Sequence, residues 1–260
     1  MNHRTITRAV MFALSLGTCL ATAEPKPPPA QRELQRVYDR AKGAHSEKEF
    51  TTVIDACHSA VNDNNSEDDR QYADELCAWA LAKRAALRAA SDNGVDAALA
   101  DYEESIALHP RAGVFLARGT LYCDLGNWGR AADDYRAALR LDPNRAAAYR
   151  MTAWFMATCP EATFRDAKLA VESAQKAVEM DDPPDYRSLD ALAAAQANAG
   201  DFEQAGETQQ RAIAGAGQGV EDAALLADRL QLYRDSKPYR MPVSAATHAR
   251  GQQPSPHVTR

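Results

Sequence analysis

Several kinds of chemistry are missing from this chain of 260 residues. No two cysteines are spaced Cys-x-x-Cys and no His-Glu-x-x-His occurs. The usual sequence signs of a zinc site, a dithiol redox centre or a helical metalloprotease are therefore absent. Cys57-His58 would need a cysteine at position 54 for covalent haem attachment, and Ile54 stands there. There is no Gly-x-Ser-x-Gly and no glycine-rich phosphate loop, which removes two common routes to acyl and phosphoryl chemistry. Gly215-Ala216-Gly217-Gln218-Gly219 follows a helical pattern rather than a strand, so it reads as a linker that ends a helix. Of the six histidines, His3, His248 and His257 lie near the chain ends, and His109 sits in a Leu-His-Pro break as a solvated turn residue. These residues imply no metal, no cofactor and no catalytic group.

Positive charge is also scarce. The net charge is −6 and no basic stripe appears, which argues against binding to a nucleic-acid backbone. Long apolar runs are missing too. The stretch Ala9 to Leu20 falls short of the roughly 20 residues a helix needs to cross a bilayer. Arg4 and Arg8 precede it and the small-x-small sequence Ala21-Thr22-Ala23 follows, so residues 1–23 are expected to be an export signal cleaved after Ala23. That places the mature protein in the periplasm or cell envelope, or outside the cell. Leu16-Gly17-Thr18-Cys19 resembles a lipoprotein box and offers a lipid anchor at Cys19 as the alternative. Residues 24–30, rich in proline, form an extended spacer.

Aromatic residues make up only 7% of the chain, too few for a typical sheet core, and alanine is abundant, which favours closely packed helices. From Gln31 the apolar positions recur at i, i+3, i+4 and i+7: first Leu34, Val37, Tyr38 and Ala41, then Phe50, Val53, Ile54, Cys57, Ala60 and Val61. A long helix is expected over residues 67–90 and its return over 97–108. Between Ala112 and Arg145 a more specific order appears: Phe115, Gly119, Tyr122, then Ala131, Tyr135, Ala138, then Pro143. Small residues at Gly119 and Ala131 let two antiparallel helices approach, large ones fill the gaps between pairs, and Pro143 stops the second helix. The same skeleton returns upstream as Ala98, Tyr102, Ser105 and Pro110, and downstream as Leu189, Leu192, Ala193, Ala205 and Ala212. The period is about 34 residues, the mark of a stacked repeat array.

This pattern resembles the tetratricopeptide repeat. The similarity covers residues 31–235 and is most specific from Ala97 to Gly217. The segments Ala157 to Ala167 and Leu189 to Ala193, with Leu232-Tyr233-Arg234 and Pro238-Tyr239-Arg240 near the end, are closer still to exported bacterial repeat proteins. The resemblance implies an all-α, right-handed superhelical solenoid of about five helix–turn–helix units. Residues 220–235 form a capping helix, with Leu225, Leu226, Leu230 and Tyr233 covering the array and Asp222, Asp228, Arg229 and Arg234 facing water. Residues 236–260 follow as a disordered tail.

The resemblance further implies a concave groove lined by the first helix of each unit. Lys83, Leu87, Leu116, Thr120, Cys123, Arg150, Trp154, Asp190, Ala194 and Asn198 are candidate lining residues. Lys83, Arg84, Arg118 and Arg150 supply donors for carboxylates, and Trp154 an apolar anchor. Each has a plainer reading as an internal packing or ion-pairing residue. The function expected is a non-enzymatic interaction module for a peptide or protein partner. The alternative is an accessory subunit of an envelope enzyme that uses the outer face of the array. Cleavage after Ala23 leaves Cys57, Cys77, Cys123 and Cys159, which allow three pairings. Cys57 and Cys77 fall on helices expected to be neighbours and are the candidate disulfide, the alternative being that all four are small buried apolar residues.

Overall fold

The computed structural model describes residues 32–60, 66–91, 93–216 and 223–242. The expected export signal and spacer lie outside these residues. Eleven α-helices follow one another among the described residues, with one short 3-10 turn and no strand. They are α1 (Arg32–Lys42), α2 (Glu47–Ala60), α3 (Glu67–Ala89), α4 (Val95–Leu108), α5 (Ala112–Asp124), α6 (Trp128–Leu141), α7 (Ala146–Thr158), α8 (Ala167–Met180), α9 (Tyr186–Ala199), α10 (Phe202–Ala216) and α11 (Ala223–Arg234). The chain forms two compact units that divide inside α5, after Arg118. No described helix is long and apolar enough to cross a membrane.

Local chemistry sets most boundaries. Ser66 opens α3 with a capping box: its hydroxyl accepts from the Asp69 amide at 3.2 Å, and the Asp69 carboxylate accepts from the Ser66 amide at 3.3 Å. Ser46 and Glu49 make the same reciprocal pair at the start of α2. Asn127, Asp166 and Asp185 cap α6, α8 and α9 through side-chain oxygens. Gly200 ends α9 at φ 92°, a left-handed conformation that glycine enters without steric cost. The longer connection after α7 contains a 3-10 turn, Ala162–Phe164. The return helix starts at Ala167, where Asp166 caps it.

In the first unit, α2 packs on α3 and α3 on α4. Leu34, Phe50, Val53, Cys57, Leu76, Cys77 and Leu81 share one buried core. Phe50 and Trp79 meet edge to face at 5.8 Å. The small residue at Ser105 has a polar use: its hydroxyl donates to the Ala78 carbonyl at 2.7 Å, tying α4 to α3.

In the second unit, α7 packs on both α8 and α9, and α9 packs on α8, α10 and α7. First helices of consecutive pairs therefore touch, as stacking of repeats requires. Ala153, Ala157, Ala170, Ala174, Ala194 and Ala195 form the seam. Gly119 shows why the repeat needs a glycine there: a Cβ would lie 3.0 Å from the Tyr135 ring and 3.2 Å from the Asp134 Cβ. Two expectations for the C-terminal end require correction. Arg229 does not face water; it is 4% exposed. The disordered tail does not begin at 236, because residues 237–241 pack back on the unit and Met241 is buried.

Candidate functional site

The proposed groove residues divide by unit. In the first, Arg84 on α3 is committed internally. Its Nε and Nη2 donate to the two Asp101 carboxylate oxygens at 2.9 and 2.8 Å, and its Nη1 donates to Thr51 Oγ1 at 2.9 Å. Arg88, one turn on, donates to the same Asp101 at 2.9 Å and to Glu47 at 3.2 Å. These two arginines clamp α2, α3 and α4 together, and the Asp101 hydrogen bonds raise the Arg84 pKa further. Leu116 is fully buried, so it is a core residue and not a lining one. Its position one residue from the repeat's Phe115 carries it into the packed side of α5. Lys83 rests over the Trp79 ring at 5.6 Å and Arg118 over the Phe115 ring at 5.7 Å; both are half-buried. Leu87 is one of three large apolar side chains left exposed among the described residues, at 38%.

In the second unit, Thr120 Oγ1 lies 3.4 Å from the Tyr135 hydroxyl. Arg150 is buried and donates to Asp185 at 3.4 Å. Asp185 in turn receives Nε and Nη2 of Arg187 at 3.0 and 2.8 Å. Burial alone would raise the Asp185 pKa, but the hydrogen bonds and charge of Arg187 hold it below the ordinary aspartate value.

Trp154, Asp190 and Asn198 do come together, around a group of residues that the repeat pattern did not reveal. Arg229 of α11 donates to both Asp190 oxygens, at 2.9 and 2.8 Å. Gln209 of α10 adds a third bond to Asp190 at 2.8 Å. Burial would lower the Arg229 pKa, but the Asp190 charge and hydrogen bonds outweigh it and raise it. The Arg229 guanidinium lies 5.2 Å from the centre of the Trp154 ring and 5.6 Å from that of Tyr239. Trp154 and Tyr239 stack at 5.6 Å. Asp190 is therefore spent on an internal pair and is not a ligand-facing carboxylate.

The chain beyond α11 runs over the C-terminal ends of α7 and α9 as a strap. Ser236 turns it at φ 54°. Arg240 then donates to the Ala157 carbonyl at 2.9 Å and to Asn198 Oδ1 at 2.9 Å, and the Met241 amide donates to the Thr158 carbonyl at 2.9 Å. A cation is favoured there because the last carbonyls of a helix carry partial negative charge and lack intrahelical partners. Arg165 uses the same helix end, donating to the Cys159 and Pro160 carbonyls at 2.7 and 2.8 Å. In the sequence the strap is marked by the Pro238-Tyr239-Arg240 resemblance and by Tyr239 and Met241, large side chains in a tail with few of them.

No group of three or more His, Cys, Asp or Glu residues among the described residues is placed to hold a metal. The carboxylates gathered at arginines are paired rather than poised for proton transfer. Cys57 and Cys77 lie in the same buried core, and both are present as free thiols.

Against known families, residues 112–145, spanning α5, the turn and α6, match the model described as tetratricopeptide repeat. No curated protein matches the chain. Tetratricopeptide repeats serve in general as protein–protein interaction scaffolds, so the match points to a binding role for this segment.

Proposed function

We propose that this chain is a non-enzymatic interaction module of the bacterial cell envelope that takes an extended segment of a protein partner on the face formed by α7 and α9. The observation that carries this reading is the strap. That face holds five residues of chain, 237–241, through a tyrosine packed at a tilt on Trp154, an arginine on the Ala157 carbonyl and the Asn198 side chain, and one main-chain hydrogen bond. Aromatic platforms and unpaired helix-end carbonyls read an aromatic–basic–apolar order with little regard for other side chains. A partner segment of that order replaces the strap. Within the first unit, half-buried Lys83 and Arg118 are proposed separately as donors to carboxylates of a partner, and Thr120 of the second unit as a polar contact. The envelope location rests on the basic start, the short apolar stretch and Ala21-Thr22-Ala23. A mature N-terminus at Glu24 in the periplasmic fraction tests it.

The binding test uses a labelled peptide of residues 236–242. Fluorescence anisotropy should rise when a chain ending at Asp235 is added and stay low with the full chain. Trp154→Ala with Asn198→Ala should weaken binding at least tenfold. Absence of binding by a truncated chain that keeps its helicity overturns the reading.

A second reading makes the chain an accessory subunit that docks through its outer face. Leu141 at the end of α6 and Leu169 on α8, 47% and 49% exposed, favour it. Association with a membrane-fraction enzyme that is lost on Leu141→Glu and Leu169→Glu, but kept on Trp154→Ala, would select this alternative.

A further inference from the structure

Cys57 and Cys77 stand on adjacent antiparallel helices of the first unit, α2 and α3. Both are 1% exposed and belong to one core. Of the three ways to pair Cys57, Cys77, Cys123 and Cys159, this one joins two cysteines of the same buried core on neighbouring helices, with Cys77 close enough to push the Cys57 thiol pKa up. Cys123 instead approaches the Tyr135 hydroxyl at 3.5 Å. His58 adds a basic group: its Nε2 lies 3.5 Å from Cys77 Sγ, and its own ring is exposed. A buried thiol is ordinarily inert because the apolar surroundings disfavour the thiolate. An imidazole reaching from solvent to one sulfur supplies the base that this environment withholds.

We infer that Cys57 and Cys77 form a reversible disulfide that staples α2 to α3, with His58 as the group that takes the proton from Cys77. With the neutral imidazole proton on Nδ1, Nε2 accepts the Cys77 proton. The Cys77 thiolate attacks a small disulfide oxidant, RSSR, forming a mixed disulfide and releasing RS⁻, which takes up that proton. Cys57, buried in the same core as Cys77, loses its proton and attacks Cys77 Sγ, expelling a second RS⁻, which is protonated in turn. Two protein thiols and one RSSR become one protein disulfide and two RSH. Burial slows the first step, since the oxidant reaches Cys77 only when the end of α2 opens. Once closed, the bond is shielded from reductants by the same core. Linking two cysteines 20 positions apart in sequence restricts the unfolded chain, which is the main source of stabilisation by a disulfide in the chain-entropy model.

The test uses the full chain, reduced and then exposed to oxidised glutathione under native conditions. Free thiols are alkylated before digestion with trypsin, which separates Cys57 in residues 49–70 from Cys77 in residues 71–83. The expected product is these two peptides joined by a disulfide and released by reductant. The oxidised chain should melt several degrees above the reduced one. His58→Gln should slow formation at least tenfold without changing the melting temperature of the reduced chain. Recovery of both peptides alkylated, a glutathione adduct on either cysteine as the end product, or linkage of either to Cys123 or Cys159 would overturn the inference. Unchanged kinetics in His58→Gln would overturn the role of His58.

Discussion

Arg229 and Asp190 face each other through two hydrogen bonds of 2.9 and 2.8 Å, although 39 positions separate them in sequence. The pair joins α11 to α9 inside the core of the second unit, where both side chains are buried. Taking two charges out of water is costly, and the geometry here offsets that cost by satisfying the carboxylate three times. Removal of one partner leaves the other charge buried alone. Arg229→Ala is therefore expected to destabilise the second unit by about 3–5 kcal/mol. The combined Arg229→Met and Asp190→Leu chain should be more stable than either single variant. Urea denaturation followed by circular dichroism measures both; equal losses in the single and double variants would contradict the pairing.

Gly119→Ala tests the close approach within the repeat. The added methyl meets the Tyr135 ring at 3.0 Å and the Asp134 Cβ at 3.2 Å. Neither neighbour is the loose end of a flexible chain, so a loss of about 1–3 kcal/mol is expected from overpacking. Gly129→Ala is the control: nothing lies within 4 Å of its added Cβ, and on an exposed helix the change should be neutral or slightly stabilising. Thermal melts of the two variants give the comparison.

Arg84→Lys should not behave as a conservative change. A lysine offers one ammonium where the guanidinium holds both oxygens of Asp101 and the hydroxyl of Thr51. A loss of roughly 1–3 kcal/mol is expected for the first unit. Asp101→Asn should show a similar loss because Arg88 depends on the same carboxylate. Amide hydrogen exchange in α2 and α4 reports on the clamp directly.

Acidification should act on the start of α9. Asp185 has its pKa held below the ordinary value in the folded protein, against ~3.9 in an unfolded chain. The stabilisation is present in full above the unfolded value and is lost as pH falls through the folded one. Below pH ~4 the second unit should weaken. Asp185→Asn keeps the helix cap and removes this part of the pH dependence, which urea midpoints at pH 3 and pH 6 can resolve.

The fold was legible because its rules are local. Small residues at Gly119, Ala131 and Ala205 and large ones at Tyr102, Tyr122 and Tyr135 mark the packed positions at fixed spacing, and the structure buries every one of them. The candidate site was less legible. Helical periodicity tells which face a residue occupies and says nothing about whether its charge meets a partner. Arg84, Arg150 and Asp190 have the right chemistry for ligand binding, yet each is answered from within, by Asp101, Asp185 and Arg229. Leu116 was displaced from the expected face by a single helical position. The Pro238-Tyr239-Arg240 resemblance marked the strap segment, but what it touches escaped because α7 and α9 lie far back in the sequence.

The bond from Arg240 to Ala157 spans 83 positions. Stacked repeats ordinarily touch only their neighbours, so an array of this kind melts progressively from its ends. Here residues 240 and 241 are fastened to the ends of α7 and α9, which closes the row of helices from α7 to α11 on itself. Loss of α11 removes the Arg229–Asp190 pair and the strap together, so contacts on both α7 and α9 are lost in one step. The second unit should accordingly unfold as one block, with amides of α9, α10 and α11 exchanging through a common opening.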